Sequence, residues 1–558
     1  MRHLGISRPI CPARIAVGQV ANLPEISETL GGVAGWQPAP RAATRGLYRR
    51  SGATWIIVLC AAVASQTVCV LRVAAAEEDP YPPVKVVLHP APEPRPALKY
   101  RLFPDILDRK PGNAAVEYGK VKAEQQGFFG DTKLWDNINT KWMTAPLAEL
   151  RREEVRKQFT QGTFFYYLDR GARCQYCDWQ FPIGERGQDM WTILLPEVQE
   201  MRAFARLLAV QARIQTANRK YDDAVNTFQT GYALSKHVGE APFLVGSLVG
   251  IACSSMMSDQ VREFIQQPDA PNLYWALTNV PRPLVDMRPA FETEMESVYL
   301  SYPELRNLTH KQRPPYYWQH LVDPELRDLE RNEPTPQEWQ QLMEKTVDRL
   351  YRLWQFDGGS REWRSRDLFR LAVLGLTLRN YPEAKRFLIA RGQTAAEVEA
   401  MPVPKAVLLY TLALYDEVRD EMFKWYNLPY WEARPGLVSA DKRLKEVAGQ
   451  KREIIPLASI LLPAIGAVNN ARARHEREFA VLRVFEALRL YGATQNRLPE
   501  RLSDIAEVPI PVDPVTGNPF VYRRSGDTAR LEAPVPAGEW PGRFGTWRYD
   551  ITFVPKGK

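Results

Sequence analysis

Cysteine and histidine are scarce in this chain, and the common nucleotide-binding and nucleophile motifs are missing. The 558 residues include six cysteines and six histidines. There is no Walker-type phosphate loop, no Gly-x-Gly-x-x-Gly fingerprint after a strand and no Gly-x-Ser-x-Gly elbow. The histidines lack the spacing that presents two imidazoles to one metal ion, which favours surface or capping roles. The sequence therefore predicts no metal site and no cofactor, and it identifies no catalytic residue.

Net charge is also small in the body of the chain. Residues 1–76 hold eight of the 73 basic residues and two of the 65 acidic residues. The remaining 482 residues therefore carry 65 basic and 63 acidic side chains. A near-neutral body has no overall field that draws it to phosphate backbones, so we expect no nucleic-acid partner.

Residues 1–76 are predicted to form a leader with a signal peptide or a membrane anchor. Arg45, Arg49 and Arg50 precede an apolar stretch over residues 55–71, and three alanines then precede Glu77. This order of basic, apolar and small residues is typical of a secretory signal. The alternative is an uncleaved anchor, because residues 55–71 reach the lower length limit of a spanning helix. Both alternatives predict an exported protein of the periplasm or cell envelope. Contact with the membrane is expected only through this segment, and only if it is uncleaved.

The fold is predicted to be mainly α, as an irregular α-solenoid or helical bundle with a small C-terminal α+β domain. Residues 77–97 contain seven prolines and no helical period, which is typical of an extended spacer. A mainly helical domain is predicted over residues 98–470 and the α+β domain over residues 471–558. One helix is predicted over residues 146–159, another over residues 243–257 and a third over residues 337–356.

Residues 207–239 contain the clearest helical pair. Two helical patterns meet at residues 218–220, and the small residues Ala212, Ala224 and Gly231 would allow the two helices to approach closely. Leu208 and Phe228 would fill the groove between them. The segment resembles one tetratricopeptide repeat (TPR), and residues 371–392 resemble it more weakly.

A long helix is predicted near the start of the C-terminal domain, over residues 476–491. Two short strands are expected on either side of a turn at residues 513–519, because Asp-Pro and Thr-Gly-Asn favour turns. Further strands are predicted over residues 528–531 and 547–553.

Several stretches of the chain resemble a group of uncharacterised exported proteins from planctomycete-type bacteria. The resemblance spans most of residues 86–523, and it is carried by residues 98–108, 177–179, 231–248, 272–283, 400–425 and 513–522. It implies no activity, ligand or catalytic residue. The turn at residues 513–519 is also similar to those of pseudopilin-like C-terminal domains.

Cys174 and Cys177 form the most conspicuous local motif, Cys-Gln-Tyr-Cys. A covalent haem would need histidine after the second cysteine, where Asp178 stands, and a zinc site would need further ligands nearby. A structural disulfide or packed thiols are favoured, and a redox or thiol-attachment site is the alternative.

Aromatic residues are the other candidates for binding. The candidates for a groove that binds sugars or peptides are Tyr316, Tyr317, Trp318, Trp425 and Trp431, although aromatic residues of a helical protein more often pack in its core. Glu292 and Glu296 lie one helical turn apart, but Glu294 between them indicates a solvated helix face.

Of a scaffold and an enzyme, the sequence favours the scaffold: an exported helical protein that binds another protein or peptide. This hypothesis depends on the TPR-like pair together with the missing catalytic motifs. The alternative is a cell-envelope hydrolase or carbohydrate-binding enzyme whose site forms only in the folded protein.

Overall fold

The protein is mainly α-helical, as the sequence predicts, with a strand-containing region formed by segments near its two ends. The computed structural model describes residues 82–124, 126–160, 163–183, 196–301, 375, 378–401, 403–449, 462–539 and 541–557. The predicted leader and the predicted helix over residues 337–356 lie outside these ranges.

Ten helices of the described residues position the features discussed below. They are α1 Ala114–Glu124, α2 Phe164–Ala172, α3 Pro196–Ala217, α4 Tyr221–Gly239, α5 Leu244–Ile265, α6 Tyr274–Thr278, α7 Arg288–Met295, α8 Val403–Phe423, α9 Tyr430–Gly449 and α10 Pro463–Gln495. Other helices span Gln126–Gly130, Thr132–Asp136, Glu153–Thr160, Ser297–Ser301 and Ala395–Glu399, and another runs from 378 to 390.

The helices α3, α4 and α5 pack against one another, and α10 packs on α5. The predicted helical pair is present as α3 and α4, with Leu208 and Phe228 buried. Gly231, however, faces α5, because a Cβ atom at this position would lie 2.2 Å from the sulfur of Met257. The small residue therefore allows a third helix to approach, and the similarity to a TPR stays a prediction.

Helix α5 is the one helix of the described residues that is long and apolar enough to cross a membrane by length and composition. Most of its apolar stretch is buried inside the protein. Gly250 allows close contact with α4, because a Cβ atom there would lie 2.7 Å from the Ser235 carbonyl oxygen. Packing between helices accounts for its apolar composition, as expected for a core helix.

A four-stranded sheet covers one side of α10. Its strand order is β1-β6-β5-β4, with β1 Val84–Leu88, β4 Val521–Ser525, β5 Thr528–Glu532 and β6 Arg548–Phe553. The strand β1 pairs parallel with β6, whereas β6, β5 and β4 are antiparallel neighbours. Val86 and Leu88 alternate toward the core, so part of the predicted spacer is a strand of this sheet.

The C-terminal strands form nearly where the sequence predicts, but the hairpin does not. Only β4 follows the turn at residues 513–519, because the residues before it have no strand partner. The hairpin lies instead between β4 and β5, where Gly526 has a φ of +60°. The predicted start of the domain at residue 471 lies inside the continuous helix α10.

The helix predicted over residues 146–159 is divided in two. Leu147–Arg151 is a 3-10 turn, and an α-helix follows from Glu153 to Thr160. Arg152 between them has extended backbone angles, φ −61° and ψ 135°, which end the first turn.

Candidate functional site

The Cys174 to Cys177 motif lies on and just after a short strand. The strand β3, Cys174–Tyr176, pairs parallel with β2, Lys110–Asn113. The Asn113 side chain then continues the pairing, since it accepts from the Asp178 amide at 2.9 Å and donates to the Asp178 carbonyl at 2.7 Å. The motif is therefore fixed at both ends by long-range hydrogen bonds.

Both motif sulfurs are buried, and in this structure they are separate thiols. Burial raises the pKa of both thiols, most strongly that of Cys177. Burial likewise raises the pKa of Cys253, on helix α5, to about 12. A reactive cysteine needs a stabilised thiolate, and burial has the opposite effect. This electrostatic environment fits packed thiols better than a redox site, and a disulfide stays a prediction.

Tyr118 and His237 complete a cluster around the motif. The Tyr118 hydroxyl lies 2.8 Å from Nδ1 of His237, and the Trp179 indole donates to the His237 carbonyl at 2.9 Å. Burial lowers the pKa of His237 to about 3, so its imidazole is neutral near pH 7. A neutral imidazole gives no charge with which to activate the Cys177 thiol.

A second polar cluster lies between α5 and α10. Nε2 of His475 lies 2.6 Å from the Ser254 hydroxyl, and the Ser255 hydroxyl donates to Glu478 at 2.8 Å. Burial lowers the pKa of His475 to about 4 and raises that of Glu478 to about 7. Ser254 is fully buried, so this serine and histidine pair does not meet a substrate in the folded protein.

Two histidines thus contradict the expectation of surface or capping roles. His237 and His475 are both buried, each with a hydrogen-bond partner from another helix. Their partners are 119 and 221 residues away in the sequence. Local spacing therefore gave no signal for either contact.

The acidic run on α7 is also less solvated than its sequence indicates. Glu292 is exposed, but Glu294 is partly buried, and burial raises the pKa of its carboxyl to about 7. The expectation of a solvated face is therefore wrong for Glu294. Nearby, the Tyr299 hydroxyl donates to Asp416 at 2.8 Å, and Asp416 pairs with Arg419 at 2.8 Å.

Of the predicted groove aromatics, the structure describes Trp425 and Trp431. Trp425 packs under Gly436, where a Cβ atom would lie 2.2 Å from its indole ring. Trp431 is 45% exposed and lies against the turn at Gly517. The other predicted members, Tyr316, Tyr317 and Trp318, lie outside the described residues.

Two small cavities lie in the described parts of the chain. One of about 180 Å³ lies beside Trp142 and Leu150 and is lined by both basic and acidic side chains. Pockets that bind small molecules usually measure about 300–1,000 Å³. Another cavity, of about 10 Å³, lies beside Glu478, Arg262 and Tyr549 and has the size of one water molecule. Within the described ranges, no group of three or more His, Cys, Asp or Glu residues could hold a metal ion.

Comparison of the chain with protein-family models, with curated proteins and with solved structures finds no match. The buried histidines of both clusters have hydrogen-bond partners within the fold, Tyr118 for His237 and Ser254 for His475.

Proposed function

We propose that the chain is an exported helical scaffold that binds another protein or peptide. The observation that carries this proposal is the distribution of exposed apolar side chains. Among the described residues, seven large apolar side chains are more than half exposed, and five of them lie between residues 106 and 176. These five define the exposed apolar surface: Ile106, Leu107, Val116, Tyr166 and Tyr176.

The most exposed part of this surface is a rigid turn. Ile106 is 72% and Leu107 is 91% exposed, on the 3-10 turn Ile106–Asp108. The Asp105 side chain accepts from the Leu107 amide, and the following Lys110 amide donates to the Arg173 carbonyl at 2.8 Å. A pre-ordered apolar tip costs little conformational entropy on binding, which favours a role in recognition.

The remaining members lie on elements that contact this turn or one another. Val116 is on α1 and Tyr166 on α2, and these two helices pack together. Tyr176 is on β3, paired with the strand β2 that connects the turn to α1. Burying one such apolar side chain in an interface contributes about 1.5–3 kcal/mol, so the surface as a whole suits a protein or peptide partner.

Export is part of the proposal because of the basic, apolar and small-residue order of residues 45–76. The intact mass of the protein from fractionated cells tests it directly. A product that begins near Glu77 in the envelope fraction supports a cleaved signal, and a retained leader in the membrane fraction supports the anchor. A full-length protein in the cytoplasmic fraction contradicts export.

Site-specific photo-crosslinking tests the binding surface. We would place a photo-reactive amino acid at position 107 of the full-length protein, in the cells that produce it, and at position 438 as the matched control. Val438 is 52% exposed but lies on α9, away from residues 106–176 in sequence. A discrete adduct from position 107 alone, lost in the Ile106→Ser variant, supports the proposal. Absent adducts, or the same adducts from both positions, refute it.

A carbohydrate-binding role is the second candidate, and the observation in its favour is Trp431. Trp431 is 45% exposed, and its indole ring lies against Gly517. Flat, supported aromatic rings stack on apolar sugar faces. Binding of purified cell-wall polysaccharide to the protein, compared with a Trp431→Ala variant, tests this role; equal binding by both proteins excludes Trp431 as the platform.

A further inference from the structure

The cavity of about 180 Å³ lies between two irregular turns of the chain. One of them, Asn137–Trp142, is a π-helix, after which the Met143 amide donates to the Ile138 carbonyl, five residues earlier, at 3.3 Å. The other is the 3-10 turn Leu147–Arg151. A π-helix is rare in proteins, and it is frequently found at functional sites. This cavity is therefore a candidate for a binding site.

Both turns are held in place by hydrogen bonds to helix α3. Arg213, on α3, donates to the carbonyls of Trp142 and Ala145, at the end of the π-helix and just after it. Arg151, in the 3-10 turn, donates from Nε to the Ala217 carbonyl at 2.7 Å. The walls of the cavity are thus fixed before a ligand enters, which lowers the entropic cost of binding.

The lining of the cavity combines apolar and charged side chains. Its buried members are Trp142, Leu150 and Val155. Its exposed members include three charged side chains, Lys141, Glu149 and Arg152. Within the described ranges none of these three side chains forms an ion pair, so all three are available to a ligand.

The size and charge of the cavity restrict the ligand. A volume of 180 Å³ holds about six water molecules, since each occupies about 30 Å³ in the liquid, and this is too little for a nucleotide. Glu149 is the one carboxylate of the lining, which is too few to hold a divalent cation without other ligands. Two positive charges and one negative charge instead match a compact ligand that carries two negative charges and one positive charge.

We propose that this cavity binds a free acidic amino acid, glutamate or aspartate. Lys141 and Arg152 donate to its two carboxylates, and Glu149 accepts from its ammonium group. The methylene carbons of the ligand contact the apolar part of the lining. Each charged group of the ligand then has a partner of opposite charge, so none loses its water without compensation. The proposal does not depend on the scaffold role.

Saturation-transfer NMR titrations of the full-length protein test the site. The probes are L-glutamate, D-glutamate and glutarate, which has both carboxylates of glutamate but no ammonium group. We expect at least one enantiomer of glutamate to bind about tenfold or more tightly than glutarate, because glutarate leaves Glu149 without a partner. In Glu149→Gln this preference should disappear, since no carboxylate remains to accept from the ammonium group. A general loss of structure would not change the ratio in this way.

Lys141→Gln should weaken glutamate binding about tenfold, because it removes a charged donor. The matched control is Lys133→Gln, since Lys133 is also exposed but does not line the cavity. The control should bind as the unaltered protein does, and circular dichroism checks that every variant is folded. The proposal is overturned if neither enantiomer binds, if glutarate binds as tightly as glutamate, or if Lys141→Gln and Lys133→Gln bind equally well.

Discussion

Arg489 is completely buried, and its side chain connects three parts of the chain. It pairs with Glu486 at 2.9 Å, and both side chains are 0% exposed. Its guanidinium also donates to the carbonyls of Ala270 at 2.6 Å, His89 at 3.2 Å and Pro271 at 3.4 Å. Helix α10, the loop before α6 and the segment after β1 are therefore held together by one residue.

We expect Arg489→Met to lower the free energy of unfolding by about 3–5 kcal/mol. Removing one partner of a buried ion pair leaves the other charge, here that of Glu486, without compensation. Three backbone carbonyls also lose a buried donor, which places the cost in the upper part of this range. A double change, Glu486→Leu with Arg489→Met, should be less destabilising than Arg489→Met alone, because it buries no unpaired charge.

The loss of unfolding free energy in Arg489→Met should also depend on pH. Burial raises the pKa of Glu486 even beside Arg489, and loss of the arginine raises it further. An acid whose pKa is higher in the folded protein stabilises it below the unfolded pKa, and this contribution is lost as pH rises. The deficit of the variant should therefore grow as pH rises above about 4.3, the ordinary pKa of glutamate.

Urea unfolding of the full-length protein at several pH values, followed by circular dichroism, measures both effects. Arg523→Met is the control, because this arginine is largely exposed and forms a surface ion pair. If Arg489→Met loses no more unfolding free energy than the control does, the buried ion pair does not have the expected effect. A deficit that shrinks as pH rises contradicts the expected protonation of Glu486.

Three further predictions concern the interior. Burial raises the pKa of Glu478 to about 7, so stability should fall as pH rises through 7, and urea unfolding of Glu478→Gln should show a smaller slope with pH. The three buried thiols should react with a thiol reagent far more slowly in the native protein than in urea, and fast native reaction would contradict their burial. Gly250→Ala should lower the melting temperature, since backbone fills the space, whereas Gly466→Ala, with open space, should not.

Much of the helical fold follows from local pattern. The junction of α3 and α4 lies at residues 218–220, as predicted, because apolar residues repeat at helical spacing on both sides of Asn218-Arg219-Lys220. The strands β5 and β6 likewise match the prediction within a few residues, since their alternating pattern is local. Such signals depend on neighbours within a few residues and are visible in one sequence.

The strand β1 shows where local pattern fails. Its sequence, Val-Lys-Val-Val-Leu, lies among seven prolines, which favour an extended spacer. Its partner β6 is more than 450 residues away, with Val86 opposite Ile551. The segment is a strand only because it pairs with β6. An extended chain becomes a strand when its backbone groups form hydrogen bonds with a neighbouring strand.

The candidate site was predictable only in part. The sequence identified Cys174 and Cys177 by their spacing, but it gave no indication of Tyr118 or His237, which the fold brings from 56 or more residues away. It also gave no indication that Asp513 and Glu486 are fully buried in ion pairs. Such charged residues are buried where the fold supplies a partner of opposite charge, and that partner cannot be read from the local sequence.

Helix α10 carries several of the charged side chains that are buried in the fold. It contacts α5, α6, α9 and the sheet, so apolar residues are buried on more than the one side that its pattern predicts. A helix enclosed in this way needs a partner for each buried charge, because an unpaired charge is costly to bury. Arg472, Arg477 and Arg489 have such partners within the chain.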